Sequence, residues 1–475
     1  MPGRLEFEVL SRSQGALQGR ARAPGQTRRL LLIGNFSGHN GAAGSAGGDG
    51  GVFAQRRTWR VDLDTFDDVL ARLAPGLTLK LGEEVHALSF RSLDDFHAET
   101  LLQASAPLRR LNELRLQLLQ PASFAQAAAR LLDAAPSGAG AGQGPLAALL
   151  GGRVAALTPT PSAAAAGVDA FIRQVVAPYV QPAAPPLQAQ YVAAAQAVLV
   201  QALRSLLHHA DFQALEGAWR GVSWLLSTLE LDEGLELHLL DASREDLLAD
   251  VIAAHGQPAA MQLTRVLSGG EGEPQQRWTA LLGLFAFDSS DTDLGLLAAL
   301  GRVAQSAGAP FLAGASPGLL GASSLDAVVL ASTPDSWQAL RRSEVAPWIG
   351  LAAPRLMMRV PYGRGGEALT AFSFEETDSA SAHEDYLWAP AALACAWALA
   401  QPGAGLTLDG LPGWAVQREG ESVQLPCAEH WLGESAWHTL LQAGLIPLVS
   451  HAGRHAVQLP RLQSIAQPLQ PLAGL

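Results

Sequence analysis

Cysteine is scarce in this chain: only Cys395 and Cys427 occur, far apart among 475 residues. That excludes a disulfide framework and a CxxC metal site, and it predicts a reducing compartment. Lysine is scarcer still. Lys80 is the sole lysine, and all other basic side chains are arginine. Long apolar runs are missing too. Stretches such as "APAALACAWALA" (389 to 400) are too short to span a bilayer. The opening "MPGRLEFEVL" has no apolar core of a signal peptide. Positive charge is in deficit, with 32 basic against 44 acidic residues and a formal net charge of −12. Nucleic acid and anionic membrane are therefore disfavoured as partners. A soluble, cytoplasmic protein is expected.

What is present reads as globular: 48% hydrophobic and 16% charged residues. The length exceeds one ordinary core, which predicts two or three domains. Residues 4–10 and 58–64 alternate like strands, and 29–33 read as a buried strand. The segment "DTFDDVLARLAP" predicts a helix capped by Asp64 or Thr65. "LTLKL" and "HALSF" predict paired strands around Gly82, followed by two helices, the second beginning at Pro107. From about 135 to 165 the chain is rich in Gly, Ala, Pro and Ser and reads as a linker. Beyond it, "VDAFIRQVVAPYV" is helical, and a long helical stretch breaks near His209 to Asp211, with Asp211 as the expected N-cap. Strand and helix then alternate through "LELHLLDAS", "REDLLADVIAAH", "WTALLGLFAFD", "DLGLLAALGRVAQSAG" and "PFLAGAS". This alternation predicts an α/β layer with a mainly parallel sheet. "RLMMRVPYG" and "AFSFEE" read as further strands, "YLWAPAALACAWALAQ" as a buried helix and "GLIPLVSHAGRHAVQL" as a hairpin.

The stretch "LLLIGNFSGHNGAAGSAGGDGG" (30 to 51) runs from a strand into a glycine-rich loop, as phosphate sites do. It lacks the lysine of a P-loop, its Gly34 and Gly38 are spaced GxxxG, and a strand rather than a helix follows. A surface loop is the better reading. No GxSxG elbow occurs, and His383 beside Glu384 lacks the second histidine of a zincin. His208 and His209 are adjacent, about 100° apart on a helix, which suits a helix end better than a ligand set. His430, His438, His451 and His455 have no partners at fixed spacing, so surface or interface roles are preferred. Glu375 and Glu376 read as solvated or salt-bridged rather than as an acid/base pair. No catalytic, cofactor or metal residue is assigned. Trp219, Trp224, Trp337, Trp348, Trp388, Trp397, Trp431 and Trp437 all lie in the second half. Tryptophans serve cores and interfaces, which favours a structural or assembly protein over an enzyme.

Two sets of motifs carry a resemblance. "LLLIGNFSGH" (30 to 39), "TWRVDLDTFDDVLARLAPGLTLKL" (58 to 81) and "LSFRSLDDFHAETLLQASAPLRRLNELRLQLL" (88 to 119) resemble the small subunit of the type VI secretion contractile sheath. Asn35 stands where that family has Asp in its turn. "LLHHADFQALEGAWRGVSWLL" (206 to 226), "APFLAGASPGLLG" (309 to 321), "LAAPRLMMRVPYG" (351 to 363), "FSFEE", "HEDYLWAPAALACA" (383 to 396) and "GLIPLV" (444 to 449) resemble the sheath large subunit, in family order.

The resemblance implies an α/β fold: two sheath-type α/β halves packed together, with mixed sheets and flanking helices, joined by an Ala/Gly/Pro linker. It implies a small-subunit-like domain over 1–134, a linker over 135–165 and a large-subunit-like domain over 166–475. A tether of this kind fixes a one-to-one ratio and raises effective concentration. Motif and interface candidates are Phe36, Phe90, Leu93, Asp94, Asp95, Phe96 and Arg115 in the first half. In the second half they are Phe212, Leu215, Trp219, Arg220, Arg355, Arg359, Tyr362 and Trp388. Sheath subunits of the family are stitched by strand exchange, a form of β-augmentation. Little arm precedes the first core strand here, and the large-subunit-like half stops soon after "GLIPLV" in a proline-rich tail, so an end truncated at the linking arms is expected. The implied function is non-enzymatic: an accessory subunit at one end of the sheath or on the baseplate, or alternatively a polymerising fused subunit with unusual stitching. Sheath or baseplate proteins are the implied partners. A helix recognised by an AAA+ unfoldase in the family has its counterpart at "VDAFIRQVVAP" (168 to 178).

Overall fold

In the computed structural model, the residues described are 27–39, 56–133, 187–231, 234–269, 277–325, 334–378, 383–401, 406–418 and 421–475. The expected strand at 4–10, most of the glycine-rich loop, the linker and the helix at 168–178 lie outside them.

The organising element is the apolar run at the start of the described chain. Strand β1 (Arg28–Gly34) pairs in parallel with β5 (Leu235–Asp241) on one side and with β6 (Ala280–Phe287) on the other. Outward from β6 the sheet continues in parallel through β7 (Phe311–Ala315), β8 (Ile349–Ala353) and β14 (Leu445–Pro447). At the other edge β2 (Trp59–Val61) runs antiparallel to β5. The fold is α/β, with one seven-stranded, mostly parallel sheet at its centre.

Helices cover both faces, so interior strands are apolar on both sides rather than alternating. Successive residues of β1 then feed opposite cores: Leu30 and Leu32 join one hydrophobic cluster, Leu31 and Ile33 the other. On the first face lie α5 (Gln188–Leu207), α6 (Ala210–Thr228) and α11 (Ala392–Ala400). Helix α11 is apolar all round because it is enclosed, packing across β1, β6, β7 and β8. On the second face lies α9 (Asp291–Ala307), started by the Ser290 hydroxyl, which accepts from the Asp293 amide, and stopped by left-handed Gly308.

The first-half elements pack on the α5–α6 side. Helix α1 (Phe66–Leu73) starts at Thr65, one of the two expected caps, although no side-chain cap bond forms there. Strands β3 (Gly76–Leu81) and β4 (Glu84–Ser89) form the expected antiparallel pair around Gly82. Helices α2 (Ala98–Ala104) and α3 (Ala106–Leu119) follow, with Pro107 in the first turn of α3, and α4 (Pro121–Asp133) extends the series beyond expectation. The Gln188 side-chain amide donates to the Leu118 and Leu119 carbonyls at 2.8 and 3.1 Å, fastening α5 to the end of α3.

Three local readings change. The helix break falls where expected, but the N-cap of α6 is His209, whose ring accepts from the Asp211 amide at 3.2 Å, and not Asp211. "FSFEE" forms no strand: Phe372, Phe374 and Glu376 are buried in alternation, but without a ladder partner. In the C-terminal hairpin, β15 (Val449–Ser450) and β16 (Ala456–Gln458) do pair, while Leu445–Pro447 belongs to the central sheet.

Candidate functional site

Most of the residues singled out from the sequence lie where first-half elements meet second-half elements, with Arg355 and Trp388 apart from them. The turn after β1 is a hub. The Phe36 amide donates to the Gly34 carbonyl at 3.0 Å, and the Ser37 amide to the Asp241 carboxylate at 3.0 Å. The Ser37 carbonyl accepts from the Gly76 amide at 2.9 Å, tying in β3. The Phe36 carbonyl accepts from the Trp219 indole at 2.9 Å, tying in α6. Two of the turn's amides are thus spent within the protein, one of them on a carboxylate. Gly38 closes it with φ +75°, and a Cβ there would lie 2.7 Å from the Gly76 carbonyl oxygen, so only glycine fits.

Around Trp219 the aromatics interlock. Phe36 and Phe66 meet its ring edge-on at 5.4 and 5.7 Å, and Leu215 lies one turn away, buried. Phe90 and Phe96 stack at 4.0 Å, and Phe212 of α6 lies about 6 Å from both. "SLDDF" places Phe96 there. It is a single 3-10 turn, Leu93–Phe96, closed by a capping box between Ser92 and Asp95. The Asp95 carboxylate accepts from the Arg91 and Ser92 amides at 2.6 and 3.0 Å, Leu93 is half-buried against the core, and Asp94 is exposed.

A buried ionic centre adjoins the aromatics. Arg359 on β9 (Leu356–Arg359) donates to Glu216 of α6 at 3.0 Å and grips Glu376 with two nitrogens at 2.6 and 3.0 Å. Arg220 reaches the same Glu216 oxygen at 2.7 Å, and the Tyr362 amide donates to Glu376 at 2.7 Å. The Tyr362 ring lies 4.3 Å beneath the Arg359 guanidinium. Burial pushes the Glu216 carboxyl up, but Arg359 and Arg220 outweigh it and hold it below the usual range. Burial likewise opposes the charge of Arg359, yet Glu216 and Glu376 keep its pKa well above the ordinary value. These charges are paired with one another, both arginines meeting Glu216 at Oε1, while the buried Glu216 Oε2 and Tyr362 hydroxyl have no hydrogen-bond partner. Arg115 is a second buried tie, bonding Asn112 on its own helix and the Ala371 carbonyl at 3.1 Å, with the Phe372 ring 5.2 Å away.

Arg355 and Trp388 belong to a separate cluster. Arg355 grips Glu429 at 2.5 and 2.9 Å and also reaches Glu384 at 2.9 Å. The Trp388 indole donates to the His383 carbonyl at 2.9 Å, and the rings of Trp388, His383 and His430 form a stack. Strand β10 (Leu387–Ala389) approaches α6 so closely that a Cβ on Gly217 would lie 3.2 Å from the Trp388 carbonyl.

Sequence reasoning found the aromatic members and the arginines. It missed Glu216 and the joining of His383, Glu429 and His430. The i,i+4 spacing of Glu216 and Arg220 was available as a signal, whereas His383 and Glu429 lie 46 residues apart and offered none.

Residues 189–465, more than half the chain, match the family model VipB, described as EvpB/VC_A0108, tail sheath N-terminal domain. The chain belongs to the type VI secretion sheath family. Residues 27–132 match a second model, described as type VI secretion system, VipA, VC_A0107 or Hcp2. The two matches give the sheath-type protein both a small-subunit-like and a large-subunit-like part. A curated relative is the type VI secretion system sheath protein TssC1 of Pseudomonas aeruginosa PAO1, 29% identical over 308 residues. That alignment covers 59% of this chain and 61% of the relative, so the chain spans about three fifths of the sheath protein it matches. Among the described residues no helix is long and apolar enough to cross a membrane.

Proposed function

We propose that this chain is a non-enzymatic structural component of a type VI secretion apparatus. It acts in the cytoplasm as a sheath-like accessory subunit, packing as a cap, adaptor or terminator at an end of the sheath or on the baseplate. The observation that carries the accessory role is the blocked edge of the central sheet at β14. Pro447 has no amide hydrogen to offer, and the Gln463 side chain donates to the Leu445 carbonyl at 2.8 Å. The run after Gln463 turns back on its own body, with the Ile465 amide on the Ile349 carbonyl at 2.9 Å and the Ala473 amide on the Pro347 carbonyl at 2.8 Å. An edge capped this way does not accept a strand from a neighbour.

A polymerising fused subunit is the second reading, favoured by the opposite edge. There β2, three residues long, pairs with β5 and, among the described residues, with no strand on its other side. Expression alone and beside a cognate sheath pair, followed by electron microscopy and sedimentation, separates the two. The accessory role expects monomers or small oligomers alone and decoration confined to sheath ends. Long regular tubes from this chain alone would establish the polymerising role instead.

A further inference from the structure

The stack around His383 holds a donor set that stands apart from the junction around Trp219 and Arg359. His383 lies in a short 3-10 turn (His383–Asp385), and Glu429 and His430 follow the bridge that Ala428 makes to Leu356. One ligand atom from each of the three side chains lies within 4.8 Å of the other two. The Glu429 Oε1 is 3.0 Å from His383 Nε2 and 3.8 Å from His430 Nε2. In a tetrahedral site with bonds of about 2.0–2.2 Å, ligand atoms sit about 3.3–3.5 Å apart. The observed spacings bracket that value.

We propose that His383, Glu429 and His430 bind a zinc-like transition-metal dication. Two imidazoles and one carboxylate are a donor set for such a metal, and thiolates are not required. The His383 side chain is 40% exposed, which leaves a fourth position open to water and an entry path. Arg355 Nε holds the distal Glu429 oxygen at 2.9 Å and Trp388 holds the backbone of His383, while Arg355 Nη2, 2.5 Å from the ligand oxygen Oε1, has to give way when the metal binds. Coordination asks the imidazoles, now stacked at 4.9 Å and 18°, to turn until both Nε2 lone pairs converge. The metal would then staple the 383–385 turn to the 429–430 segment.

The test is calorimetric titration of zinc chloride into the chelator-treated full chain. The expected result is one equivalent bound, with a rise in melting temperature. His383→Ala and His430→Ala should each weaken binding at least about tenfold, as loss of a first-sphere ligand exceeds the outer-shell effect. Circular dichroism of the metal-free variants checks that they fold. His438→Ala, at an exposed histidine outside the group, should leave binding unchanged. Cobalt(II) should give an intense four-coordinate visible band in the wild type that is lost in the two site variants. Zinc uptake by the folded His383→Ala and His430→Ala variants equal to wild type, or no uptake by the wild type, overturns the proposal.

Discussion

The Trp219 indole N–H lies 2.9 Å from the carbonyl of Phe36, a bond spanning 183 residues of sequence. It joins the turn after the central strand to the helix beneath it, and both rings are fully buried. Trp219→Phe keeps most of the apolar volume but leaves that carbonyl without its indole donor, at a cost of about 1–3 kcal/mol. Trp219→Ala adds a cavity and should cost about 3–5 kcal/mol. Urea unfolding of both variants checks the order; equal losses would mean the hydrogen bond contributes nothing.

Arg359→Met should be more damaging than its volume suggests. It leaves Glu216 and Glu376 facing each other without their shared cation, for a loss of about 3–5 kcal/mol. A urea midpoint shift worth less than about 1 kcal/mol would show that the carboxylates find water.

Gly38→Ala meets two obstacles, a positive φ and a backbone oxygen 2.7 Å from the new methyl. A loss of about 1–3 kcal/mol is expected from the conformation alone. Gly82→Ala is the control: its φ is also positive, but a Cβ there meets nothing within 4 Å. The gap between the two melting curves reports the steric part.

Acid should destabilise the fold before its carboxylates titrate. Burial holds His238 below its ordinary pKa, outweighing the hydrogen bond to Glu236. Its neutral form is favoured by folding, so its contribution is fully present above the unfolded value of about 6.5 and is lost as the pH falls from there through the folded value. His86 and His208 are lowered by burial in the same sense. Denaturant midpoints should drop between pH 7.5 and 5.5, and His238→Gln should flatten that slope. An unchanged slope in the variant would refute the assignment.

A protease site placed at residue 150 tests whether the covalent link is needed once the fold exists. Cleaved pieces should co-elute on gel filtration, because β1 lies between β5 and β6. Separation under native conditions would contradict that pairing.

Periodicity revealed those elements whose backbone bonds run along regular ladders: β1, α1, the β3–β4 pair and the α/β alternation. It failed where the burial pattern has another cause. Phe372, Phe374 and Glu376 alternate like a strand, but they point inward from an irregular run held by Arg115, Arg204 and Arg359. The helix break was legible at His208 and His209, yet the cap is an imidazole nitrogen doing what a carboxylate was expected to do. Trp219 was legible because tryptophans serve cores and interfaces, whereas Phe36, Phe90, Phe96 and Phe212 became candidates through the sheath-family motifs they sit in. Glu216 was only half legible: Arg220 stands four residues on, but the second arginine that allows its full burial, Arg359, is 143 residues away.

The middle position of β1 also bears on how the protein is made. Its partners begin 207 residues downstream, as Leu30 opposite Leu237 shows. At a ribosomal rate of about 5–20 residues per second, that gap takes about 10–40 s to synthesise. For that time Leu30 to Ile33 have no sheet to enter. Carrying both parts on one nascent chain ensures that the neighbours emerge beside the waiting strand. Two separate messages would leave that meeting to diffusion.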